Sequence, residues 1–292
     1  MGPPSARVHE NNRDDGAWPD HGLAGLLRRW RLTLEAPPVE TPSGVVGFVR
    51  RDAARFVLKL PRPGGDEVSA VDVLTHFGGD GAVRVLDRGP GGAVLLERAM
   101  PGDALTGLVL AGDDDGATAV ICSVAAALHR RPAPVAAGVP RVEDWACGFA
   151  WHRAAGDARV PAALVDRASA LYAILAATQD APRLLHGDLH HDNVLRDAGR
   201  GWLAIDPKGV VGEPAYEIGA ALRNPTTDPA RFAVTAVADR RAWIAAGRLG
   251  LDRQRVLGWG FALAVLSAIW CVQDGLDPAR GLAAAAAIRP LM

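Results

Sequence analysis

This 292-residue chain contains few cysteines and few lysines, and its positive and negative charges nearly balance. The three cysteines, Cys122, Cys147 and Cys271, are odd in number and far apart, which argues against a disulfide framework or a cysteine-based metal site and indicates a reducing compartment. The formal net charge is -1 at pH 7, so the chain has no uniform basic field. A nucleic-acid partner is therefore not expected.

The chain also lacks an export signal and a convincing membrane span. Residues 1–20 contain several acids and no apolar core, so they do not form a signal peptide. The uncharged run Val256–Val272 is at the short limit for crossing a bilayer, and we predict that it is a buried core helix instead. These features predict a cytoplasmic protein without a membrane partner, either a monomer or a dimer.

The clearest functional signal is the stretch HGDLHHDNVLRDAGRGWLAIDPK at residues 186–208. Asp188 follows an apolar, strand-like pair, Asn193 begins a second strand-like run, and Asp206 ends a third. Turn residues between the last two runs predict a hairpin that brings Asn193 and Asp206 together. An amide oxygen and a carboxylate suit magnesium on a nucleotide, while Asp188 stands where a base would accept a hydroxyl proton. A hairpin with solvated acids is the alternative, but Asp206 at the strand end favours catalysis.

Each of the two lysines is informative because the chain otherwise uses arginine. Lys59 lies in the predicted strand Arg55–Leu60, and its compact ammonium on a flexible stem suits the α- and β-phosphates of a nucleotide. A lysine on an edge strand is the alternative. Lys208 follows Asp206 closely, and it could reach either the nucleotide or the substrate.

Three segments together resemble one family: LLERAMPG at 95–102, HGDLH at 186–190 and IDPKGVVGEPAYEI at 205–218. They look like the streptomycin 6-kinase and hydroxyurea phosphotransferase family of aminoglycoside phosphotransferases, and the resemblance spans roughly residues 22–275. It implies an α+β, bilobal, protein-kinase-like fold with a small β-sheet N-lobe and a mostly helical C-lobe.

The resemblance also implies a chemistry, namely ATP-dependent phosphorylation of a small-molecule hydroxyl. Asp188 would be the catalytic base, Asn193 and Asp206 the ligands of Mg²⁺, and Lys59 the residue on the phosphates. We expect residues 1–18 to be disordered, 19–98 to form the nucleotide-binding lobe, and 99–292 to form the catalytic and substrate lobe.

Three further parts of the nucleotide site are expected in the small lobe. Strands are predicted near residues 45–50, 55–60, 83–87 and 93–97, preceded by a helix from about Gly22. A short hairpin with Ser43 and Gly44 would cover the phosphates, although its glycine content is a weak signal. The inter-lobe hinge would contribute the backbone of Glu97, Arg98 and Ala99 to the adenine, unless this segment is an ordinary loop exit.

An acid from the predicted helix Glu67–Phe77 is the expected partner of Lys59. In relatives we expect the paired glutamate nearer Ala70, so Glu67 or Asp72 would have to substitute for it if the ion pair exists. The alternative is that these acids lie on an exposed helix face, where an acid in the first turn is favoured by the helix dipole.

One histidine and two acids are the candidate residues on the acceptor side. His190 could polarise a phosphate oxygen if it is protonated, or pack under the loop. Glu217 and Asp274 are candidates to bind a cationic aminoglycoside, although Glu217 could instead hold a structural hydrogen bond. The predicted activity is 6-phosphorylation of streptomycin, which confers resistance. The alternatives are a kinase of hydroxyurea, another antibiotic or a metabolite, and a non-catalytic nucleotide-binding module.

Overall fold

The computed structural model describes residues 22–41, 43–62, 67–131 and 138–292, with the side chains of 67–69 excepted. The predicted disorder of residues 1–18 therefore falls outside the described residues. An N-terminal sheet is followed by a mostly helical part, as the predicted kinase-like architecture requires.

The first sheet is antiparallel and has six strands. Five of them follow the order β1-β3-β4-β6-β5, and β2 pairs with the start of β3 along the same edge that pairs with β1 further on. Its strands are β1 (Thr33–Leu34), β2 (Val39–Thr41), β3 (Gly44–Arg51), β4 (Ala54–Pro61), β5 (Val85–Arg88) and β6 (Val94–Glu97). The four strands predicted from β-branched and aromatic runs are β3 to β6, within two residues at each end.

The two faces of this sheet have different partners because side chains alternate along β4. Leu58 and Leu60 point to a small core that includes Leu26 and Trp30 of helix α1 (Leu23–Trp30). The intervening Lys59 faces the opposite side. Burying a leucine of this kind contributes about 1.5–3 kcal/mol, so α1 anchors the back of the sheet and leaves the lysine face to the cleft.

The remaining strands form two small sheets in the larger lobe. One sheet has the order β10-β9-β7 and the other pairs β11 with β8, all antiparallel. Their strands are β7 (Pro101–Ala104), β8 (Arg183–Leu185), β9 (Val194–Asp197), β10 (Gly201–Ala204) and β11 (Val210–Gly212).

Eleven α-helices follow α1 in the described part of the chain. They are α2 (Glu67–Phe77), α3 (Thr106–Leu110), α4 (Asp114–Leu128), α5 (Val142–Trp145), α6 (Cys147–Ala155), α7 (Ala162–Ala177), α8 (Pro214–Leu222), α9 (Pro229–Phe232), α10 (Thr235–Leu249), α11 (Arg253–Gln273) and α12 (Ala279–Ile288). The predicted helices from Gly22 and over 67–77 are present as α1 and α2.

Helix α11 is the centre of the large lobe. Trp259 packs edge-to-face on Tyr172 of α7 and Tyr216 of α8, with ring centroids 5.0 Å apart in both pairs. Helix α12 approaches α11 so closely that a Cβ at Gly281 would lie 2.7 Å from the Ala264 carbonyl oxygen. Among the described residues α11 alone is long and apolar enough to cross a membrane, and 83% of its apolar window is buried inside the protein. The run from 256 to 272 is thus a core helix, as predicted.

Candidate phosphoryl-transfer site

The catalytic loop begins where β8 ends, at Leu185. Gly187 has a φ of 78°, a conformation that favours glycine and turns the chain so that Asp188 enters the cleft. The loop is braced by His186, whose Nε2 lies 2.7 Å from the Ile205 carbonyl oxygen and whose Nδ1 accepts from the Asp188 backbone amide at 3.3 Å. The loop is therefore tied to the strand that precedes Asp206.

Glu217 of α8 holds the same loop from below. Its carboxylate accepts backbone hydrogen bonds from His186 at 2.6 Å and Gly187 at 3.0 Å, and it lies 3.3 Å from Nε2 of His129. Burial raises the pKa of Glu217, but the His129 contact and the loop amides outweigh it, so the pKa lies below 4.5. The side chain has no exposed surface. The suggested substrate role of Glu217 is therefore wrong in this structure, and the structural alternative describes it.

Replacement of Glu217 by glutamine tests this bracing role. One loop amide would then face an NH₂ group, and we expect the free energy of unfolding near neutral pH to fall by about 1–3 kcal/mol. The lowered pKa of Glu217 stabilises the fold above pH 4.5, and this contribution is lost as pH falls through the folded-state pKa. Urea unfolding should show the gap between wild type and variant narrowing below pH 4.5. If the two proteins differed in free energy of unfolding by the same amount near neutral pH and below pH 4.5, the bracing role would be contradicted.

Asp188 is almost fully buried, and its carboxylate meets a cation that the sequence did not reveal. Nη2 of Arg223, just beyond α8, lies 2.9 Å from Oδ1 of Asp188. Burial raises the pKa of Asp188, but the charge of Arg223 outweighs it and holds the net pKa below 3.8. The carboxylate is consequently ionised at neutral pH, as a proton acceptor must be.

His190 lies beside the base without a hydrogen bond to it, because its Nε2 is 3.8 Å from Oδ2 of Asp188. Its Nδ1 accepts from the Asp192 backbone amide at 3.3 Å. Burial lowers the pKa of His190, which favours the neutral ring. Of the two readings of this residue, packing under the loop agrees better with these contacts.

The two predicted magnesium ligands come from neighbouring segments. Asn193 precedes β9, and its backbone oxygen accepts from Ile205 at 2.9 Å, next to Asp206. The Asn193 side-chain nitrogen donates to the Asp188 carbonyl at 3.0 Å, so the amide oxygen is the atom that a cation can use. Asp206 has a left-handed backbone, with φ at 55°, and a half-exposed side chain. These oxygens fit Mg²⁺, which binds through few protein ligands and shares phosphate oxygens.

Lys59 forms an ion pair with Oδ1 of Asp206. The cation and the acid proposed for phosphate and metal thus lie together at the cleft. Asp72, one of the two alternative partners of Lys59, instead pairs with Arg88 at 2.7 Å, so this alternative does not hold. It fails because Asp72 lies at an exposed position of α2 and is directed to β5. The side chain of Glu67, the other candidate, lies outside the described residues.

The β2–β3 hairpin is tight at the residues predicted to cover the phosphates. Thr41 Oγ1 lies 3.2 Å from Ser43 Oγ and accepts from the Gly44 amide at 3.1 Å. Glycine is required at 44, since a Cβ there would lie 2.2 Å from the Leu60 carbonyl oxygen. Lys208 is exposed, and its backbone amide donates to the His186 carbonyl at 2.8 Å. Contact of these residues with a nucleotide remains a prediction.

The predicted hinge segment connects β6 to β7, and its two charged side chains contact other protein groups. The Glu97 carboxylate binds Arg200 and accepts from the Arg84 backbone amide at 2.9 Å. Arg98 pairs with Glu35, and its guanidinium lies 4.7 Å from the Phe48 ring centre. Ala99 is buried. The Glu97 backbone amide already donates to the Arg84 carbonyl at 2.9 Å. Contact of the Glu97–Ala99 backbone with adenine remains a prediction.

One face of α11 contacts the segment that follows α8. Ser267 and Cys271 are one helical turn apart, and Ser267 Oγ lies 3.4 Å from Nη1 of Arg223. Asp274, immediately after α11, is exposed. Asp274, the acid proposed for a cationic substrate, is therefore accessible to solvent. Its contact with a substrate remains a prediction.

A buried carboxylate on a loop, two side chains with oxygen donors and a strand lysine at one cleft are the arrangement expected of a small-molecule kinase. The chain belongs to the aminoglycoside/hydroxyurea antibiotic resistance kinase family, whose family model matches residues 29–275. The resemblance read from the motifs at 186–190 and 205–218 is thereby confirmed.

Similar proteins support this membership. The chain is 36% identical over 265 residues to a streptomycin 6-kinase of Streptomyces glaucescens, covering 87% of this chain and 84% of the relative. It is 34% identical over 252 residues to a streptomycin 3''-kinase of Klebsiella pneumoniae, covering 85% and 92%. The crystal structure of aminoglycoside phosphotransferase APH(4)-Ia aligns with a TM-score of 0.66 at 18% identity, covering 91% of this chain and 97% of that one. That alignment supports the fold.

Proposed function

We propose that this protein transfers the γ-phosphate of ATP to a hydroxyl of streptomycin, at position 6. The observation that carries the reaction class is the cluster of Asp188, Asn193, Asp206 and Lys59 within one cleft. The substrate rests on similarity, because the chain is 36% identical to a streptomycin 6-kinase. The segment 205–218, which carries part of the family resemblance, lies inside the matched region.

The residues of the chain divide the work of an in-line transfer. As the acceptor oxygen bonds to the γ-phosphorus, Asp188 takes the hydroxyl proton and the bond to the β-bridging oxygen breaks, releasing ADP. Lys59 offsets charge on the phosphates once it leaves Asp206. Magnesium held by Asn193 and Asp206 would supply further charge neutralisation.

Asp274 is the proposed contact for a cationic group of the acceptor. It is exposed and follows α11, the helix whose Ser267 lies 3.4 Å from Arg223, the partner of Asp188. Opposite charge attracts the guanidinium groups of streptomycin, although Arg280 lies on the next helix and weakens the local field. A single charge-assisted contact is worth about 1.5–3 kcal/mol.

Replacement of Asp274 by asparagine is therefore expected to raise KM for streptomycin about tenfold, with kcat and KM for ATP unchanged. Asp277→Asn is the matched control, since Asp277 is an exposed acid three residues further along the chain. Steady-state kinetics with each substrate varied in turn measures both effects. An unchanged KM for streptomycin in the first variant would remove Asp274 from the acceptor site.

The substrate itself is tested with a panel of streptomycin, hydroxyurea and kanamycin. ADP release is followed for each acceptor, mass spectrometry counts added phosphates, and NMR distinguishes position 6 from position 3''. A single phosphate on position 6 of streptomycin supports the proposal, and expression in a susceptible host should then raise the inhibitory concentration. Transfer to hydroxyurea alone would replace the proposal with the second activity in the family description. ATP binding without any accepted substrate would favour a non-catalytic module.

A further inference from the structure

Arg223 has a role in the site that the motif analysis did not assign. It follows α8, 35 residues from Asp188 in sequence, yet its Nη2 lies 2.9 Å from Oδ1 of the base. The side chains of Arg223 and Asp188 are 16% and 10% exposed. At such burial a charge-assisted hydrogen bond is strong and directional, because little water competes for either partner.

The guanidinium is anchored on its other side as well. Nη1 of Arg223 lies 3.4 Å from Ser267 Oγ, a weak contact with α11. The backbone from which Arg223 projects is fixed by Arg241, whose Nη1 donates to the carbonyl of Ala221 at 2.9 Å and also to that of Asn224.

Arg241 is itself held in place by a second buried ion pair. It is 1% exposed, and its Nε lies 3.1 Å from both carboxylate oxygens of Asp114 in α4. The ion pair between α4 and α10 therefore fixes the position of the backbone at the end of α8, from which the Arg223 side chain extends. The position of the guanidinium is set by the fold rather than by the loop that carries the base.

We propose that Arg223 is the positioning residue of the phosphoryl-transfer step: by holding Oδ1, it fixes the rotation at which the Asp188 carboxylate meets the acceptor hydroxyl. The inference rests on the proposed function of Asp188. His190 does not perform this task, because its Nε2 is 3.8 Å from the carboxylate. The task matters because a misplacement of about 1 Å at the reacting atoms can cost 10²-fold in rate.

Arg223→Ala should lower kcat by about 10²-fold while KM for ATP changes by less than about twofold. Arg223→Lys should recover part of the loss, and free guanidinium ion should recover part of it in the alanine variant. Arg153→Ala is the matched control, since it also removes an arginine–aspartate pair, with Asp166 at 3.0 Å, but on the surface. It should leave kcat unchanged.

A double-mutant cycle separates positioning from a general loss of structure. If Arg223 acts through Asp188, Arg223→Ala should lower kcat much less in an Asp188→Asn background than in wild type. Full additivity, or a loss of kcat without rescue by lysine or guanidinium, would overturn the inference.

The readout is transfer to whichever acceptor the wild type phosphorylates, or slow ATP hydrolysis if it phosphorylates none. If the wild type phosphorylates no acceptor but hydrolyses ATP in a way that depends on Arg223, the proposed substrate is refuted and the inference about Arg223 stands. If the wild type phosphorylates streptomycin and the Arg223→Ala variant is equally active, the inference is refuted and the proposed substrate stands. Absence of both activities in the wild type would overturn both.

Discussion

Replacing Asp188 by asparagine is expected to lower kcat by about 10²- to 10⁴-fold while ATP affinity stays within about twofold. The asparagine oxygen can still accept from Arg223, 2.9 Å away in the native protein, so the loop geometry is retained. What is lost is the proton acceptor. Because the pKa of Asp188 is held below 3.8, the native carboxylate is always ionised at working pH, and the amide has no equivalent form.

The measurement is single-turnover transfer combined with equilibrium binding of ATP. Asp192→Asn serves as control, because Asp192 is a neighbouring acid with a half-exposed side chain and no assigned part in the transfer. Near-normal turnover of the Asp188 variant would refute its assignment as base. A large loss in the control as well would indicate that the loop, and not the carboxylate, had been damaged.

Replacing Asp206 by alanine is expected to abolish the magnesium-dependent part of nucleotide binding. The only carboxylate of the proposed ligand pair is then missing, and Asn193 alone is a poor site for a hard divalent cation. Without magnesium the same variant should bind ATP at least as tightly as wild type. Lys59 is then released from its ion pair, and a negative charge next to the phosphates is removed.

Calorimetric titration of ATP with and without magnesium checks both halves of this expectation. Asp206→Asn is the companion variant, because asparagine tolerates the left-handed backbone at this position better than alanine does. Loss of magnesium dependence in the alanine variant alone would show that the negative charge at 206 is not required, because asparagine keeps both an oxygen ligand and the left-handed backbone. Unchanged ATP affinity of both variants in the presence of magnesium would contradict the role of Asp206.

The parts of the site that sequence could predict are those whose partners are close in the chain. The hairpin of β9 and β10 follows from two apolar runs joined by turn residues, and it sets Asn193 beside Ile205 at 2.9 Å. The strand that carries Lys59 follows from its β-branched and aromatic composition. In both cases local pattern and the final fold agree.

The parts that could not be predicted depend on contacts between distant segments. Arg223 is one of many arginines, and nothing near it in sequence marks it as the partner of Asp188. Glu217 looks like any acid in a family block, whereas its role is decided by complete burial beneath the loop amides. Asp72 was a plausible partner of Lys59 by helical position, but the geometry of α2 and β5 gives it to Arg88. Tertiary packing decides such pairings.

Helix α11 carries a consequence for how the substrate range of these enzymes can diversify. Between Val256 and Val272 every residue is buried except Ser267 and Cys271, which share one face of the helix. Substitution at any other position in this run would leave a cavity or an overpacked core, at a cost of about 1–5 kcal/mol. Within this central run, Ser267 and Cys271 are therefore the two positions at which substitution can alter substrate range at little cost in stability. Most adaptive change is expected in the chain segments that flank the helix.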